Sequence, residues 1–364
     1  MTRPYRLLTN TLADNPKSWL VTGAAGFIGS HLVQHLLQLN QRVVGLDNYS
    51  TGRKENIDSI RDAVGSTAFS RFDMLRGDIT QMEDCVRACK GVDYVLHQAA
   101  LGSVPRSIAF PQQTHAANVT GFVHMTQAAH EAQVRRLVYA SSSSVYGDHP
   151  SVEKVESRVG KPLSPYAATK RANEDWATAV SSTVGLSMVG LRYFNVVGTR
   201  QNRKGAYVTV IPRWLDHMIH RRQPEIYGDG ANSRDYCPVA NVVEANLLAA
   251  TTPNVSPGDI YNVALGQRTT LDQLFGLLQQ ALGAHGISCA HVTPHYTAPR
   301  PGDMAHSLAN LERITEGIGY QPCHPLIDTI HEIVKETVET LATKAHSPSI
   351  HLQSTNRNTP ERTP

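Results

Sequence analysis

The stretch Ser18–Leu37, SWLVTGAAGFIGSHLVQHLL, decides how the rest of the chain is read. An apolar run, Trp19-Leu20-Val21, leads into three glycines, Gly23, Gly26 and Gly29, and then into Ile28 to Leu39, whose apolar residues recur at helical spacing. A strand turning sharply into a helix is the opening of a βαβ unit. Gly23 permits the tight turn, Gly26 lets backbone approach a pyrophosphate, and Gly29 lets the helix pack close to the strand. Phe27 and Ile28 open the helix, where free N–H groups and the positive dipole end favour phosphate.

Working outward, Arg42 to Leu46 is a strand that ends in Asp47, 18 residues after Gly29. That is the spacing of a carboxylate on the adenosine ribose hydroxyls; it would repel a 2′-phosphate and so favours NAD over NADP. Asp78, in RGDI, follows another strand and reads either as an adenine-edge contact or as a helix N-cap. Strand-like runs recur at Tyr94 to Leu96, Leu137 to Ala140, Met188 to Phe194 and Asp259 to Ala264, and the segment Gln112 to Ala132 carries helical periodicity. The rhythm predicts a Rossmann-type doubly wound α/β fold, a parallel sheet with helices on both faces, and a smaller C-terminal α/β substrate lobe. The expected organisation is an N-terminal extension over 1–16 (short helix or flexible arm), a cofactor domain over 17–198 to which 259–264 returns, a lobe over 199–345, and a disordered polar tail over 346–364.

Composition narrows the partners. A net charge of +3 on 364 residues, with arginine pairs that lack aromatic interleaving, argues against nucleic acid. No apolar run is long enough for a membrane helix, and the N-terminus has no apolar signal region, so a cytoplasmic protein is expected. The five cysteines are scattered, which suits reduced thiols; neither they nor the dispersed histidines form a metal motif, and no metal is expected.

The chemistry-bearing stretch is Ser164-Pro165-Tyr166-Ala167-Ala168-Thr169-Lys170. Ser164 suits an N-cap and Pro165 the first helical position, which puts Tyr166 and Lys170 at i and i+4 on one face. The strand Leu137 to Ala140 ends in four hydroxyls, Ser141 to Ser144, where α/β sheets bind ligands. Oxidising an alcohol requires its O–H proton to leave with a hydride from the same carbon. Free tyrosine, with a pKa of about 10, is too weak a base at neutral pH. A cation ~4 Å away at an effective dielectric of ~20 contributes roughly 4 kcal/mol, about three pKa units. Lys170 is therefore expected to bring Tyr166 toward neutrality, with a serine sharing the proton.

GAAGFIG, SSSSVYG and SPYAATK, in this order, resemble the extended short-chain dehydrogenase/reductase family, over essentially residues 17–340. RYFNVVG, GDGANSRDY and RPGD resemble the substrate lobe of its nucleotide-sugar 4-epimerases. The resemblance implies an NAD site that also includes Asn48, Gly52, Ile79, Gln98, Ala99, Ala100, Asn118 and Tyr193. It implies a diphosphate clamp of Arg234 and Arg300, and sugar or phosphate contacts from Ser103, Asn195, Gln201, Val210, Tyr227 and Asp303, with Ser142 and Ser143 facing the reacting carbon. Related dehydratases and decarboxylases carry a carboxylate in the strand-end run; here Ser143 and Ser144 stand in its place, which leaves redox-only epimerisation. Small residues at Gly102 and Ser307, where galactose-type enzymes carry larger ones, leave room for an N-acetyl group, while Thr209 adds some bulk.

The sequence most resembles bacterial UDP-N-acetylglucosamine 4-epimerases of surface-polysaccharide synthesis. It implies interconversion of UDP-GlcNAc and UDP-GalNAc through a 4-keto intermediate on tightly held NAD, by a homodimer joined through Gln112–Ala132 and Ser164–Val184. Alternatives are an epimerase for UDP-glucose or a UDP-(N-acetyl)uronic acid, or a non-catalytic NAD-sensing protein, which should lack Tyr166 or Lys170.

Overall fold

A computed structural model describes residues 2–203, 208–253, 255–299 and 305–345. Seven strands form one sheet: β1 (Ser18–Thr22), β2 (Arg42–Asp47), β3 (Phe72–Arg76), β4 (Tyr94–His97), β5 (Arg136–Ser142), β6 (Met188–Tyr193) and β7 (Ile260–Val263). Their order is β7-β6-β5-β4-β1-β2-β3, and every pair is parallel. The helices used below are α1 (Arg3–Asp14), α2 (Phe27–Gln38), α3 (Gly121–Glu131), α4 (Pro165–Val184), α5 (Val239–Thr251), α6 (Leu271–Ala284) and α7 (Leu326–Ala345).

Alternation along each strand sends successive side chains to opposite faces, and both faces are buried. On β1, Trp19 and Val21 enter one core while Leu20 enters the other; on β5, Val138 enters the first while Leu137 and Tyr139 enter the second. Helix α5 is apolar nearly all round because it lies wholly inside the first core. A third core, built on Trp214, Leu215, Leu274, Leu278, Ile330 and Val334, belongs to the C-terminal part of the chain.

The strand order reverses between β1 and β4, so the loops leaving these two strands part at the carboxyl edge and open a crevice there. β7 joins β6 in parallel, the return expected for 259–264. The N-terminal extension, read as either helix or arm, is a helix. Tyr5 and Leu12 enter the first core, and the Tyr5 hydroxyl lies 2.6 Å from His35 Nε2. The stretch read as one helix over 112–132 is broken: a five-residue π-helical segment, Ala116–Thr120, precedes α3. The tail over 346–364 lies outside the described residues.

Candidate active site

The glycines of the β1–α2 turn each have a visible reason. Gly23 has φ +67°, and a Cβ on it would sit 2.9 Å from the Ala99 nitrogen. A Cβ on Gly29 would lie 2.0 Å from the Gly23 carbonyl oxygen, so only glycine lets α2 begin there. Gly26 is the N-cap and makes no side-chain capping bond, which leaves the first N–H groups of α2 directed at the crevice. The crevice is a cavity of about 850 Å³, lined by Gly23, Gly26, Phe27, Ile28, Gly29, Asp47, Asn48, Asp78, Ile79, Gln98, Ala99, Ala100 and Gly102, among others.

Asp47 ends β2. Its Oδ2 accepts from Ala25 N at 2.9 Å and its Oδ1 from Tyr49 N at 2.7 Å, which fixes the carboxylate at the cavity wall. Burial pushes Asp47 up from its ordinary value and these two N–H bonds oppose it. Gly52 serves the same carboxylate, since a Cβ there would stand 2.8 Å from Asp47 Oδ1.

Asp78 is not the N-cap of the following helix; that position is Gln81, without a capping bond. Asp78 Oδ1 accepts from Thr80 N and Thr80 Oγ1, both at 2.8 Å, and its Oδ2 accepts from Asn48 Nδ2 at 2.7 Å, tying the two loops of the wall. Asn118 stands behind the wall on the π-helical segment. It clamps both backbone groups of Leu101, accepting at 2.8 Å and donating at 3.2 Å, and also donates to Thr169 Oγ1. Tyr193 is buried with its hydroxyl 3.1 Å from Gln98 Oε1, so it sets a wall residue.

Tyr166 and Lys170 lie on α4, and the serine run lies at the end of β5. Ser164 Oγ accepts from Ala167 N at 3.1 Å and Pro165 opens α4, as the sequence predicts. The four serines divide. Ser141 is in register with Arg192 on β6 and turns away from the crevice, donating to Glu174 Oε1 at 2.6 Å. Ser142, in register with Tyr193, accepts from Ser144 Oγ at 2.9 Å and stands by the Tyr166 hydroxyl, whose ionised form it favours. The geometry selects Ser142 as the tyrosine's hydroxyl partner, a choice the sequence left open within 142–144.

One expectation is corrected. Lys170 Nζ does not act on Tyr166 here; it donates to the Ala140 carbonyl at 2.7 Å, because the end of β5 presents that oxygen to the buried ammonium. Burial holds Tyr166 above its ordinary value, with the Ser142 bond alone drawing it down. Burial likewise lowers Lys170 to about 8, opposed by Glu174 one turn further along α4.

Residues 19–264 match the NAD dependent epimerase/dehydratase family. The chain belongs to that family. It is similar to a UDP-glucose 4-epimerase of Mycolicibacterium smegmatis, 34% identical over 87% of this chain and 97% of that protein. Among solved structures it resembles a UDP-N-acetylglucosamine 4-epimerase from Methanobrevibacter ruminantium in complex with UDP-N-acetylmuramic acid. The TM-score is 0.81 at 33% identity, over 89% of this chain and 99% of that one. It also resembles a UDP-glucose 4-epimerase from Thermotoga maritima with UDP-glucose, with TM-score 0.79 at 30% identity over 89% and 99% of the two chains. The cofactor of this family member is NAD, and the residues present fit it: a glycine cradle that any Cβ would fill, an uncapped helix start for the pyrophosphate, and a fixed carboxylate at the next strand end.

The substrate residues inferred for this epimerase/dehydratase family chain are spread over both parts. Gly102 lines the cavity, and no atom lies within 4 Å of where its Cβ would be. Ser103 N-caps the short helix Val104–Ala109, accepting from Arg106 N at 3.2 Å. Asn195 Nδ2 donates to the Asp235 carbonyl at 3.2 Å, and Gln201 Nε2 to the Val196 carbonyl at 3.0 Å. Gln201 Oε1 is buried with no hydrogen-bond partner among the described residues. Thr209 occupies the N-cap of helix Val210–Ile219 without making a capping bond. Tyr227 donates to Glu225 Oε2 at 2.9 Å. Arg234 Nη1 donates to the Ser233 and Ala305 carbonyls, and buried Ser307 donates through its N–H to Ser233 O, so Arg234 and Ser307 share one local frame. Arg300 and Asp303 lie outside the described residues.

Sequence reading missed three cavity residues on the short helices after β4, namely Arg106, Phe110 and Gln113. Their signal was position alone, a loop leaving a strand's carboxyl end. It also missed Asp235. That buried carboxylate accepts from the backbone N–H groups of Leu265, Gly266 and Ala309 and so fixes the strand that carries Arg234. Burial raises Asp235 to about 6.

Proposed function

We propose that the chain is an NAD-dependent UDP-sugar 4-epimerase that interconverts UDP-GlcNAc and UDP-GalNAc. The observation that carries this reading is a strand-end run of serines with no carboxylate, in which Ser142 stands by the Tyr166 hydroxyl and favours its ionised form. Such a site moves a proton on and off one hydroxyl, and lacks the second acid or base that elimination of a neighbouring hydroxyl requires. Tyr166 takes the proton of the sugar O4, and Ser142 shares that hydrogen bond. NAD, when bound, supplies acceptance and return of the C4 hydride. Lys170 holds the floor of the site through the Ala140 carbonyl. The sugar turns about its diphosphate, Arg234 holds the nucleotide side, and Tyr166 returns the proton to the opposite epimer.

Preference for the N-acetylated sugar is supported by Gly102, whose missing side chain leaves open space in the cavity wall. A UDP-uronic acid is the second reading, favoured by Arg106 in the same wall, since a guanidinium suits a sugar carboxylate. We infer a homodimer through α3 and α4, on which Trp176 is 42% exposed, and a role in surface-polysaccharide supply. No helix among the described residues is long and apolar enough to cross a membrane.

The test offers purified protein UDP-GlcNAc, UDP-glucose and UDP-N-acetylglucosaminuronate separately, without added NAD, and follows C4 inversion by proton NMR. UDP-GlcNAc should invert fastest. Inversion of none of them would defeat the epimerase reading, and faster UDP-glucose would defeat only the N-acetyl preference. Tyr166→Phe should lower kcat about 100- to 10,000-fold, the range for loss of a general acid–base.

A further inference from the structure

A second cluster of chemically competent side chains lies beneath the N-terminal helix. Glu244 on α5, and Cys323 and His324 in the loop before α7, each offer one ligand atom, and these atoms lie within 4.8 Å of one another. Glu244 is fully buried, and among the described residues its two oxygens accept from neutral donors, the Thr2 hydroxyl at 3.1 Å and the Cys323 thiol at 3.5 Å. The loop is held for the purpose by one side chain, three residues before Glu244 on the same helix. Asn241 Oδ1 accepts from both Cys323 N and His324 N, at 3.1 and 3.0 Å, and Asn241 Nδ2 donates to the His324 carbonyl at 2.9 Å. Cys323 is half-buried, so an ion can reach it.

We propose that Glu244, Cys323 and His324 bind a zinc ion that staples the loop before α7 to α5. Thiolate, imidazole and carboxylate together are a borderline-soft set that suits zinc and not magnesium or calcium. Zinc bonds of about 2.0–2.3 Å require only a small contraction of the cluster, and a water completes the tetrahedron. Binding releases the Cys323 thiol proton to solvent and gives the buried carboxylate a cationic partner. Asn241 acts as the outer support that fixes two ligands at once. None of these residues lines the cofactor cavity, so the ion acts on stability and not on turnover.

The experiment uses tag-free full-length protein, stripped with a chelator and titrated with Co²⁺ and then Zn²⁺. Wild type should take up one equivalent of Co²⁺ with a thiolate-to-metal absorption band in the near ultraviolet that Zn²⁺ bleaches, and Zn²⁺ should raise its melting temperature. Cys323→Ser should lose the band and the zinc-dependent stabilisation while keeping epimerase turnover, which reports that it is folded. His324→Ala should weaken zinc by more than the roughly 10- to 100-fold typical of losing an outer-shell partner. Absence of the band in wild type, persistence of the same band in Cys323→Ser, or unchanged zinc affinity in His324→Ala would each overturn the site.

Discussion

At the scale of single residues, Lys170 carries the sharpest consequence. Its side chain is buried, and burial lowers it from 10.5 to about 8. The folded chain therefore sheds this proton before the unfolded chain does. Between pH ~8 and ~10.5 the unfolded state binds more protons, so stability rises with pH through this group; below ~8 the buried charge is a constant cost. The melting temperature of wild type relative to Lys170→Met should rise across that window, and a difference that stays flat would refute the assignment. The tyrosine and lysine were legible in the sequence because helical spacing is local. Which oxygen the ammonium reaches was not, since Ala140 lies on another element thirty positions away.

At the scale of elements, two helices make opposite predictions for the same substitution. Gly29→Ala places a methyl 2.0 Å from the Gly23 carbonyl, so α2 must shift away from β1. It should cost about 1–3 kcal/mol, as overpacking does, and purified protein should carry less NAD when assayed after denaturation. Gly276 lies inside α6 with no atom within 4 Å of a built Cβ. Gly276→Ala should stabilise by about 0.5–1 kcal/mol, since alanine loses less backbone freedom. Denaturant midpoints for the two variants moving in the same direction would contradict the packing described. Helix α2 is evident from periodicity. The π-helical break before α3 is not, because it arises where Asn118 must meet Leu101 and Thr169 from different parts of the chain.

At the scale of the whole molecule, the buried Arg192–Glu174 pair joins β6 to the helix that carries Tyr166. Arg192 bonds both Glu174 oxygens at 2.8 Å and also donates to the Glu156 carbonyl, while Ser141 donates to the same carboxylate. Removing one partner strands a buried charge. Glu174→Gln should cost about 3–5 kcal/mol in equilibrium unfolding, and the double variant Arg192→Met/Glu174→Leu much less than the sum of the singles. Equal, additive losses would show that the two side chains do not act as a pair. No local pattern pointed to this pair, since Arg192 and Glu174 lie on different elements eighteen positions apart.

Two kinds of information thus separate. The sequence by itself determined the parallel α/β sheet, the glycine cradle, Asp47 at its strand end, and Tyr166 one turn before Lys170. All follow from periodicity, turn chemistry and spacing within a single βα unit or one helix. The tertiary structure alone decided that Ser142 and not Ser141 meets the tyrosine, that Lys170 bonds Ala140, that Asp78 ties two loops, and that Glu244, Cys323 and His324 converge. Each of these rests on side chains brought together from separate elements, and the burial that shifts their proton affinities exists only once the sheet and helices have packed.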